Sequence, residues 1–357
     1  MIVAHMVSPS LPLGIGFHAT GAFLAANCYA PQKYIKHWAW EIFWMTQAAW
    51  CWLLWPIIGA ALTIPHLQSV LQAAPTDRML FAFLMGIAYG VGGTAFNISI
   101  RYIGIALTYS IAVGLSSVLG TLVPPLVRGE IAVILHRPGA LWVLSGVAAG
   151  TAGIAVCGWA GRIKEKNLEA ADAKGEFSIS KGLALSLVAG VLSAVYGMAL
   201  EVAAPVVDVA ERYGAGVWKG NVSYLFVNTG AFVTSLLYSS YLARRHGTFS
   251  QLTRLPKVQS RALLTTNYLL ALLTGTLWYG QFFFYNLGHV RLGANYAFSS
   301  WAIHMILLVL LSNLLALAFR EWRDAGADAR FIMCLGIAVL CGAVIMLTYG
   351  NRLAEVS

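Results

Sequence analysis

The sequence predicts an all-α polytopic membrane protein with ten transmembrane helices, arranged as two inverted five-helix repeats. Three observations lead to this fold class: an excess of apolar residues, a series of apolar segments long enough to cross a bilayer, and residue spacings that recur in both halves. Of the 357 residues, 59% are hydrophobic and 10% are charged, and the mean hydropathy is +0.72. Soluble domains carry about 25% charged residues, so most of this chain requires lipid as its solvent.

Ten segments have the composition of a membrane-spanning helix, which needs about 20 mainly apolar residues. Because backbone groups in lipid must be hydrogen-bonded within the segment, these lengths favour helices over barrel strands. In chain order, the predicted spans 1 to 10 are 14–32, 39–62, 79–100, 104–126, 140–160, 182–204, 219–242, 262–287, 293–318 and 331–350. The pairs Gly86/Gly90 and Gly146/Gly150 have the small-xxx-small spacing of closely packed membrane helices.

The distribution of Lys and Arg predicts the orientation of these spans. Sixteen of the 23 Lys and Arg residues lie in the loops after spans 1, 3, 5, 7 and 9, and seven lie elsewhere. Since positively charged loops are retained in the cytoplasm, both termini are predicted to face outward. The same loops account for the net charge of +9, so the predicted partner is the lipid bilayer and not nucleic acid.

A polar segment near the middle of the chain separates two halves that share residue spacings. The spacing G-x10-N-x6-G-x5-S begins at Gly86 and again at Gly275. Five spans followed by five similar spans must enter the membrane from opposite sides, an arrangement typical of secondary transporters. The predicted division is a first five-helix repeat over 1–161, a polar cytoplasmic linker over 162–181 and a second five-helix repeat over 182–357.

The motifs of other functional classes are absent from the sequence. It contains no Walker A loop, no HExxH and no GxSxG, so neither direct ATP drive nor an enzyme is predicted, and no catalytic residue or cofactor is assigned. The five cysteines lie in apolar runs without a CxxC pair or metal spacing, so neither a disulfide nor a metal site is expected. The first thirteen residues lack Lys and Arg, which argues against a cleaved signal peptide.

Several blocks of sequence resemble one family of carriers. The blocks are "GAFLAANCYAPQKYIKHWAWEIFW", "RYIGIALTYSIAVGLSSVLGTLVPPL", "LWYGQFFFYNLGHVRLGANYAFSSWAIHM" and "REWRDAG". They are similar to the L-rhamnose–proton symporter family of the drug/metabolite transporter superfamily. The resemblance implies proton-driven uptake of L-rhamnose or a similar deoxyhexose across the bacterial inner membrane by alternating access, with the sugar and the proton as partners.

The chain departs from the family pattern at two positions that concern carboxylates. Ala297 stands where the family has an aspartate, and Glu201 stands where the family shows an amide. Two alternatives therefore stay open. The chain could be a facilitator or exporter of another small metabolite, or a sugar-sensing membrane protein that does not transport.

An aromatic and amide-rich stripe on span 8 is the predicted sugar site. Trp278, Gln281 and Tyr285 recur at helical spacing, and a neutral deoxy-sugar needs an aromatic ring to stack on and amides that both donate and accept hydrogen bonds. The alternative is an interfacial aromatic belt with helix–helix hydrogen bonds. The predicted substrate-binding residues are Tyr29, Gln32, Lys33, Asn97, Trp278, Gln281, Tyr285, Asn286, Asn295, Tyr296 and Trp301.

Three titratable residues are predicted to couple transport to protons. Glu201 lies within span 6, where an ionisable group is costly and therefore rarely without a partner or a task. Glu41 begins span 2 and could instead pair with a cytoplasmic cation. His304, near the middle of span 9, could relay protons or be packed and neutral.

Overall fold

The computed structural model describes residues 10–103, 105–169, 178–256, 260–293, 297–320, 322–323 and 325–356. Over these residues the regular structure is helical. The α-helices, α1 to α14, are Leu11–Asn27, Trp40–Ala49, Trp55–Thr63, Leu67–Ala73, Thr76–Ile103, Ile105–Val127, Ile131–Leu135, Ala140–Glu169, Ile179–Val202, Ala204–Arg212, Asn221–His246, Arg261–Leu292, Ala297–Ala318 and Ala327–Val356. The prediction of an all-α protein is confirmed.

Seven helical segments among the described residues are long and apolar enough to cross a membrane. They are Trp40–Thr63, Thr76–Ser99, Leu107–Val127, Ala140–Lys164, Ser180–Arg212, Ser299–Ala318 and Ala327–Leu353. The protein is therefore a multi-pass membrane protein. Predicted spans 1, 7 and 8 are also helical, as α1, α11 and α12, but α1 is short and the other two are rich in polar residues. The count of ten spans remains a prediction.

Proline and a π-helical turn break the long helices. α1 ends at Asn27, short of the predicted end at 32, and a 3-10 turn follows at Pro31–Tyr34. The residue before a proline is disfavoured in the α conformation, and proline has no N–H to continue the helix. α2 and α3 are joined by a π-helical turn at Trp50–Leu54. Pro56 near the start of α3 lacks the N–H that an uninterrupted α-helix would need there.

The described ends of the polar segment between the two halves are helical. α8 continues to Glu169, well beyond the predicted end of span 5 at 160, and α9 begins at Ile179. Lys and Glu have high helix propensity, so a helix can continue into water once it leaves the apolar region. The described ends of the linker 162–181 are thus helical, and 170–177 lie outside the described residues.

The chain divides into two compact units, each drawn from both halves of the sequence. The first unit contains the described residues of Asn27–Val91 and Ala199–Asn286, and the second contains those of Val7–Ala26, Gly92–Met198 and Leu287–Ser357. The cuts among the described residues fall inside α1, α5, α9 and α12. Each predicted repeat is one continuous half of the sequence, whereas each unit combines segments of both halves. The units therefore do not correspond to the repeats, and the repeats stay a prediction.

Glycines set the closest helix approach in the first unit. A Cβ added at Gly86 of α5 would strike the carbonyl oxygen of Val227, and one at Gly230 of α11 would lie 2.7 Å from the backbone nitrogen of Ile87. One helical turn further, a Cβ at Gly90 would lie 2.7 Å from Thr234. Gly86 and Gly90 therefore lie on the face of α5 that packs against α11, as their spacing predicted.

In the second unit, α8 packs against α14 and α13. A Cβ at Gly146 would lie 2.8 Å from the side chain of Leu347, and one at Gly150 would overlap the side chain of Ile306. These contacts border the main hydrophobic core of this unit, which includes Val147, Ile306 and Leu347. The predicted packing role of Gly146 and Gly150 is confirmed.

Gly230→Ala is expected to lower the thermal stability of the purified protein, because the added methyl group must push α5 and α11 apart. Overpacking of this kind costs about 1–3 kcal/mol. The matched control is Gly93→Ala on α5, where an added Cβ meets nothing within 4 Å. Since alanine is the better helix former, the control should be neutral or stabilising. Equal melting temperatures for the two variants in detergent would contradict the glycine contact.

Candidate functional site

Five aromatic residues of the first unit form a buried aromatic cluster: Tyr29, Trp44, Trp52, Tyr89 and Trp278. Trp278 lies at its centre, with ring centroids 5.1 Å from Trp52, 5.3 Å from Tyr29 and 5.6 Å from Trp44. All three contacts are edge-to-face, the arrangement that the ring quadrupoles favour. Tyr89 of α5 extends the cluster at 6.3 Å from Trp52. The cluster therefore contains rings from α2, α5, α12, the π-helical turn and the turn after α1.

Local structure explains why α12 comes so close to α2. A Cβ added at Gly275 would lie 2.6 Å from the Cβ of Trp50 and 2.8 Å from the backbone oxygen of Gln47. Only glycine allows this approach, which brings Trp278, one turn further along α12, among the tryptophans. Trp52 belongs to the π-helical turn. Such turns interrupt the regular hydrogen-bond ladder and often occur at functional sites.

Buried polar groups without hydrogen-bond partners lie on the same helices. Gln47 is fully buried, and neither Oε1 nor Nε2 of its amide is hydrogen-bonded in the part of the chain that the structure describes. The indole N–H of Trp52 is likewise unsatisfied, and so is the hydroxyl of Thr274 on α12. A buried amide can both donate and accept, so the helices around the aromatic cluster hold unused hydrogen-bonding capacity.

The predicted stripe on α12 is buried in the first unit. Trp278, Gln281 and Tyr285 are each 8% exposed. The amide of Gln281 forms no hydrogen bond within the described residues. Asn286 is also buried, and its amide nitrogen lies 3.5 Å from the carbonyl oxygen of Val217 as a long hydrogen bond. The stripe thus faces the protein interior, while its contact with a sugar stays a prediction.

The segment after α1 contributes one predicted residue to the aromatic cluster. Tyr29 is half-buried against Trp278, whereas Gln32 and Lys33 lie in the 3-10 turn, half-buried and exposed respectively. The structure therefore brings Tyr29 and Trp278 together. Gln32 and Lys33 belong to the turn that follows Tyr29.

A buried carboxylate lies one helical turn before Trp44 on α2. Glu41 is 5% exposed, and its Oε1 accepts a hydrogen bond from Thr248 at 2.8 Å and lies 3.0 Å from Nδ1 of His246. We call these three residues the Glu41 cluster. His246 ends α11, and about half of its side chain is exposed. The residue beside Glu41 is thus a histidine, and the pairing of Glu41 with a cytoplasmic cation stays a prediction.

Further hydrogen bonds fix the chain on both sides of the Glu41 cluster. The backbone N–H of Ala39 donates to the side chain of Gln251 at 2.6 Å, and the indole of Trp38 donates to the Gln251 carbonyl at 2.8 Å. The amide of Asn267 on α12 donates to the carbonyl of Lys36 at 2.8 Å. The start of α2 is thus held to the end of α11 and to the beginning of α12.

The second unit contains three further candidates: Asn97, Trp301 and His304. The indole N–H of Trp301 donates to the carbonyl of Ser116 at 3.1 Å, and the amide of Asn97 donates to Gly93 on its own helix at 2.9 Å. His304 is buried, with its ring centroid 5.7 Å from that of His18, whose Nε2 lies 3.0 Å from the Ser300 hydroxyl. These donors of Trp301 and Asn97 are already used within the protein.

Three predicted residues remain, of which the structure describes Glu201. Glu201 is exposed near the end of α9, so burial within the protein does not supply the environment that its predicted role assumed. That role stays a prediction. Asn295 and Tyr296 lie outside the described residues.

Three residues at the candidate site were not predicted from the sequence: Trp44, Gln47 and Trp52. Part of a signal was present, because Trp40 and Trp44 have the i, i+4 spacing of one helix face in a strongly apolar segment. Trp52 lies about 120° away from Trp40 on a regular α-helix, so periodicity does not place it on that face. Gln47 is the single amide between them. Their meeting with Trp278, more than 200 residues later, is a tertiary contact that local periodicity does not contain.

The long apolar helices and the buried aromatic, amide and carboxylate groups define a polytopic membrane carrier. Residues 7–352 match the family model described as L-rhamnose-proton symport protein (RhaT). The chain is 32% identical over 345 residues to the L-rhamnose-proton symporter of Mannheimia succiniciproducens. This match covers 96% of this chain and 99% of the relative.

Two further relatives with the same name show a similar likeness. The Cronobacter sakazakii protein is 32% identical, covering 94% of this chain and 96% of the relative. The protein of Klebsiella pneumoniae subsp. pneumoniae is 31% identical, covering 93% and 95%. The chain belongs to the L-rhamnose-proton symport protein family, a family of transporters and not of enzymes.

Proposed function

We propose that this protein imports L-rhamnose or a similar deoxyhexose across the bacterial inner membrane, driven by the proton gradient. The observation that carries the proposal is the buried aromatic cluster around Trp278, with the unsatisfied amide of Gln47 on one of its helices. Sugar sites combine aromatic surfaces for the apolar face of the ring with a few polar groups for the hydroxyls. Membership of the symporter family supports the same substrate class.

The architecture we propose is ten spans in two inverted repeats with both termini outward. The two compact units support it, because each combines a stretch of the first half with one of the second half. The repeat that begins at Gly86 and again at Gly275 pairs each position of the first half with one of the second half. By this pairing, the cuts at Val91 and Asn286 lie within about two helical turns of equivalent positions. A duplicated chain whose copies are divided at matching places would give this pattern.

Within this architecture, the predicted binding residues Tyr29, Trp278, Gln281 and Tyr285 form the sugar site of the first unit. The rings of Tyr29 and Trp278 supply apolar surface, and the buried amide of Gln281 has capacity for a hydroxyl. Gln32, Lys33 and Asn286 are proposed as additional contacts of this site, whereas Asn97, Asn295, Tyr296 and Trp301 stay predictions from the sequence. None of them is required by the observation that carries the proposal.

We assign the transported proton to Glu41. It is a buried carboxylate beside the aromatic cluster, and half-exposed His246 connects it with solvent. In the predicted orientation, His246 and Thr248 belong to a cytoplasmic loop, so this contact is a route by which the proton leaves into the cell. Protonation would remove the negative charge that faces His246 and Thr248, and so weaken one of the contacts at the start of α2.

Two measurements test the function. Purified protein should be stabilised against heat by L-rhamnose more than by other hexoses, because a ligand that binds the folded state raises its melting temperature. Proteoliposomes should accumulate labelled rhamnose only under an imposed pH gradient. Uptake without accumulation would indicate a facilitator, and binding without uptake a sensor. No response to any deoxyhexose would refute the proposed substrate.

The orientation is tested with an introduced cysteine. A cysteine at one of positions 163–169, in a background with exposed Cys334 and Cys341 replaced by serine, should react with an impermeant reagent only in inside-out vesicles. The reason is the five Lys and Arg residues of this loop, which should keep it cytoplasmic. Labelling in intact cells would reverse the proposed orientation.

A further inference from the structure

Two buried polar groups of the first unit are unused by the fold. Gln47 is 0% exposed and Trp52 is 1% exposed. Within the described residues, neither polar atom of the Gln47 side chain forms a hydrogen bond, and the indole nitrogen of Trp52 forms none either. Gln47 lies on α2, and Trp52 follows it in the π-helical turn. Most buried side-chain polar atoms have a partner, so two such residues on one helical segment require an explanation.

The two residues are unlike other polar groups on the same segment. The hydroxyl of Thr46, next to Gln47, donates to the Ile42 carbonyl of its own helix at 2.8 Å. The indole of Trp55, three residues after Trp52, donates to Thr276 at 2.9 Å. The neighbours are therefore satisfied inside the protein, and the unsatisfied groups are those at Gln47 and at Trp52, a member of the aromatic cluster.

We propose that Gln47 and Trp52 are hydroxyl-recognition residues of the sugar site, a role that rests on the proposed function. The Gln47 amide donates from Nε2 and accepts at Oε1, so it can bridge two adjacent hydroxyl groups of one sugar ring. The Trp52 indole donates to a third oxygen, while its ring and that of Trp278 cover the apolar face. The ligand is a neutral molecule with neighbouring hydroxyls and an apolar face.

This arrangement makes sugar binding selective. A site built to hydrogen-bond a hydroxyl strongly rejects an analogue that lacks it, because the buried protein groups are then left without partners. We therefore expect the deoxyhexose to bind at least about tenfold more tightly than an analogue lacking one of the bridged hydroxyls. Removing the protein groups should abolish this discrimination.

Gln47→Leu tests the proposal by separating stability from recognition. Leucine has a similar volume and leaves no buried amide unsatisfied, so the sugar-free protein should melt at the same or a higher temperature. Its affinity for L-rhamnose, measured by equilibrium binding, should fall about tenfold or more. A destabilised sugar-free protein with unchanged affinity would show that Gln47 is a structural amide and would overturn the proposal.

Trp52→Phe provides an independent variant that removes the indole N–H and keeps an aromatic ring. Its affinity for rhamnose should fall about fivefold or more, because one hydroxyl loses its donor. The matched control is Trp55→Phe, whose indole is already bonded to Thr276 and whose loss should leave affinity unchanged. Thr46→Val is the corresponding control for Gln47→Leu.

The outcomes distinguish this inference from the proposed function. If the wild-type protein shows no affinity for rhamnose or related sugars, the proposed function itself fails. If the wild type binds and Trp52→Phe and Gln47→Leu bind equally well, the two groups are satisfied by water and the inference alone is wrong. If Gln47→Leu does not fold, Trp52→Phe decides between these results.

Discussion

Glu41→Gln is expected to abolish accumulation of rhamnose under a pH gradient while leaving sugar exchange intact. The glutamine keeps the size of the side chain and an oxygen that can accept from Thr248, but it carries no transferable proton. It therefore imitates the protonated carrier, which must still bind sugar and change conformation. The measurement compares pH-driven uptake with counterflow of labelled rhamnose at equal pH in proteoliposomes.

Glu201→Gln is the matched control for this variant. Glu201 is exposed, whereas Glu41 is buried and hydrogen-bonded to two side chains. We expect the Glu201 variant to accumulate sugar normally. Loss of accumulation in Glu201→Gln with retention in Glu41→Gln would favour the sequence-based assignment instead. Retention in both variants would move the proton site to another group, and buried His304 would be the next to test.

Composition and apolar segment length were sufficient to predict the class of fold. A bilayer imposes one rule on every segment, which is that backbone groups bond internally, so a long apolar run has few alternatives to a helix. The predicted span 39–62 corresponds to α2, the π-helical turn and α3. The apolar pattern did not predict the π-helical turn, because apolar composition does not depend on the hydrogen-bond register within a span.

The site was predicted only in part, and the reason is physical. Trp278, Gln281 and Tyr285 share a helix, so their common face follows from periodicity alone. Trp44 and Trp52 meet Trp278 through the contact of two helices that are distant in sequence. Glu41 was predicted from its position at the start of a span, but its partners are His246, the last residue of α11, and Thr248, two residues later.

The aromatic residue with the largest expected effect on binding is Trp278. It is 8% exposed and contacts the rings of Tyr29, Trp44 and Trp52, so it lies at the centre of the proposed sugar site. Central, well-packed tryptophans commonly contribute about 2 kcal/mol or more to binding when truncated. Trp278→Ala should therefore weaken rhamnose binding by about thirtyfold.

The truncation also removes packing, so affinity must be separated from folding. Replacing a buried tryptophan by alanine costs about 3–5 kcal/mol of stability in soluble cores, and binding should be expressed per folded molecule. Trp278→Phe keeps an aromatic face and should retain an intermediate affinity. Trp159→Ala is the control, because Trp159 on α8 is 62% exposed and lies in the second unit. Wild-type affinity for folded Trp278→Ala would place the sugar outside the aromatic cluster.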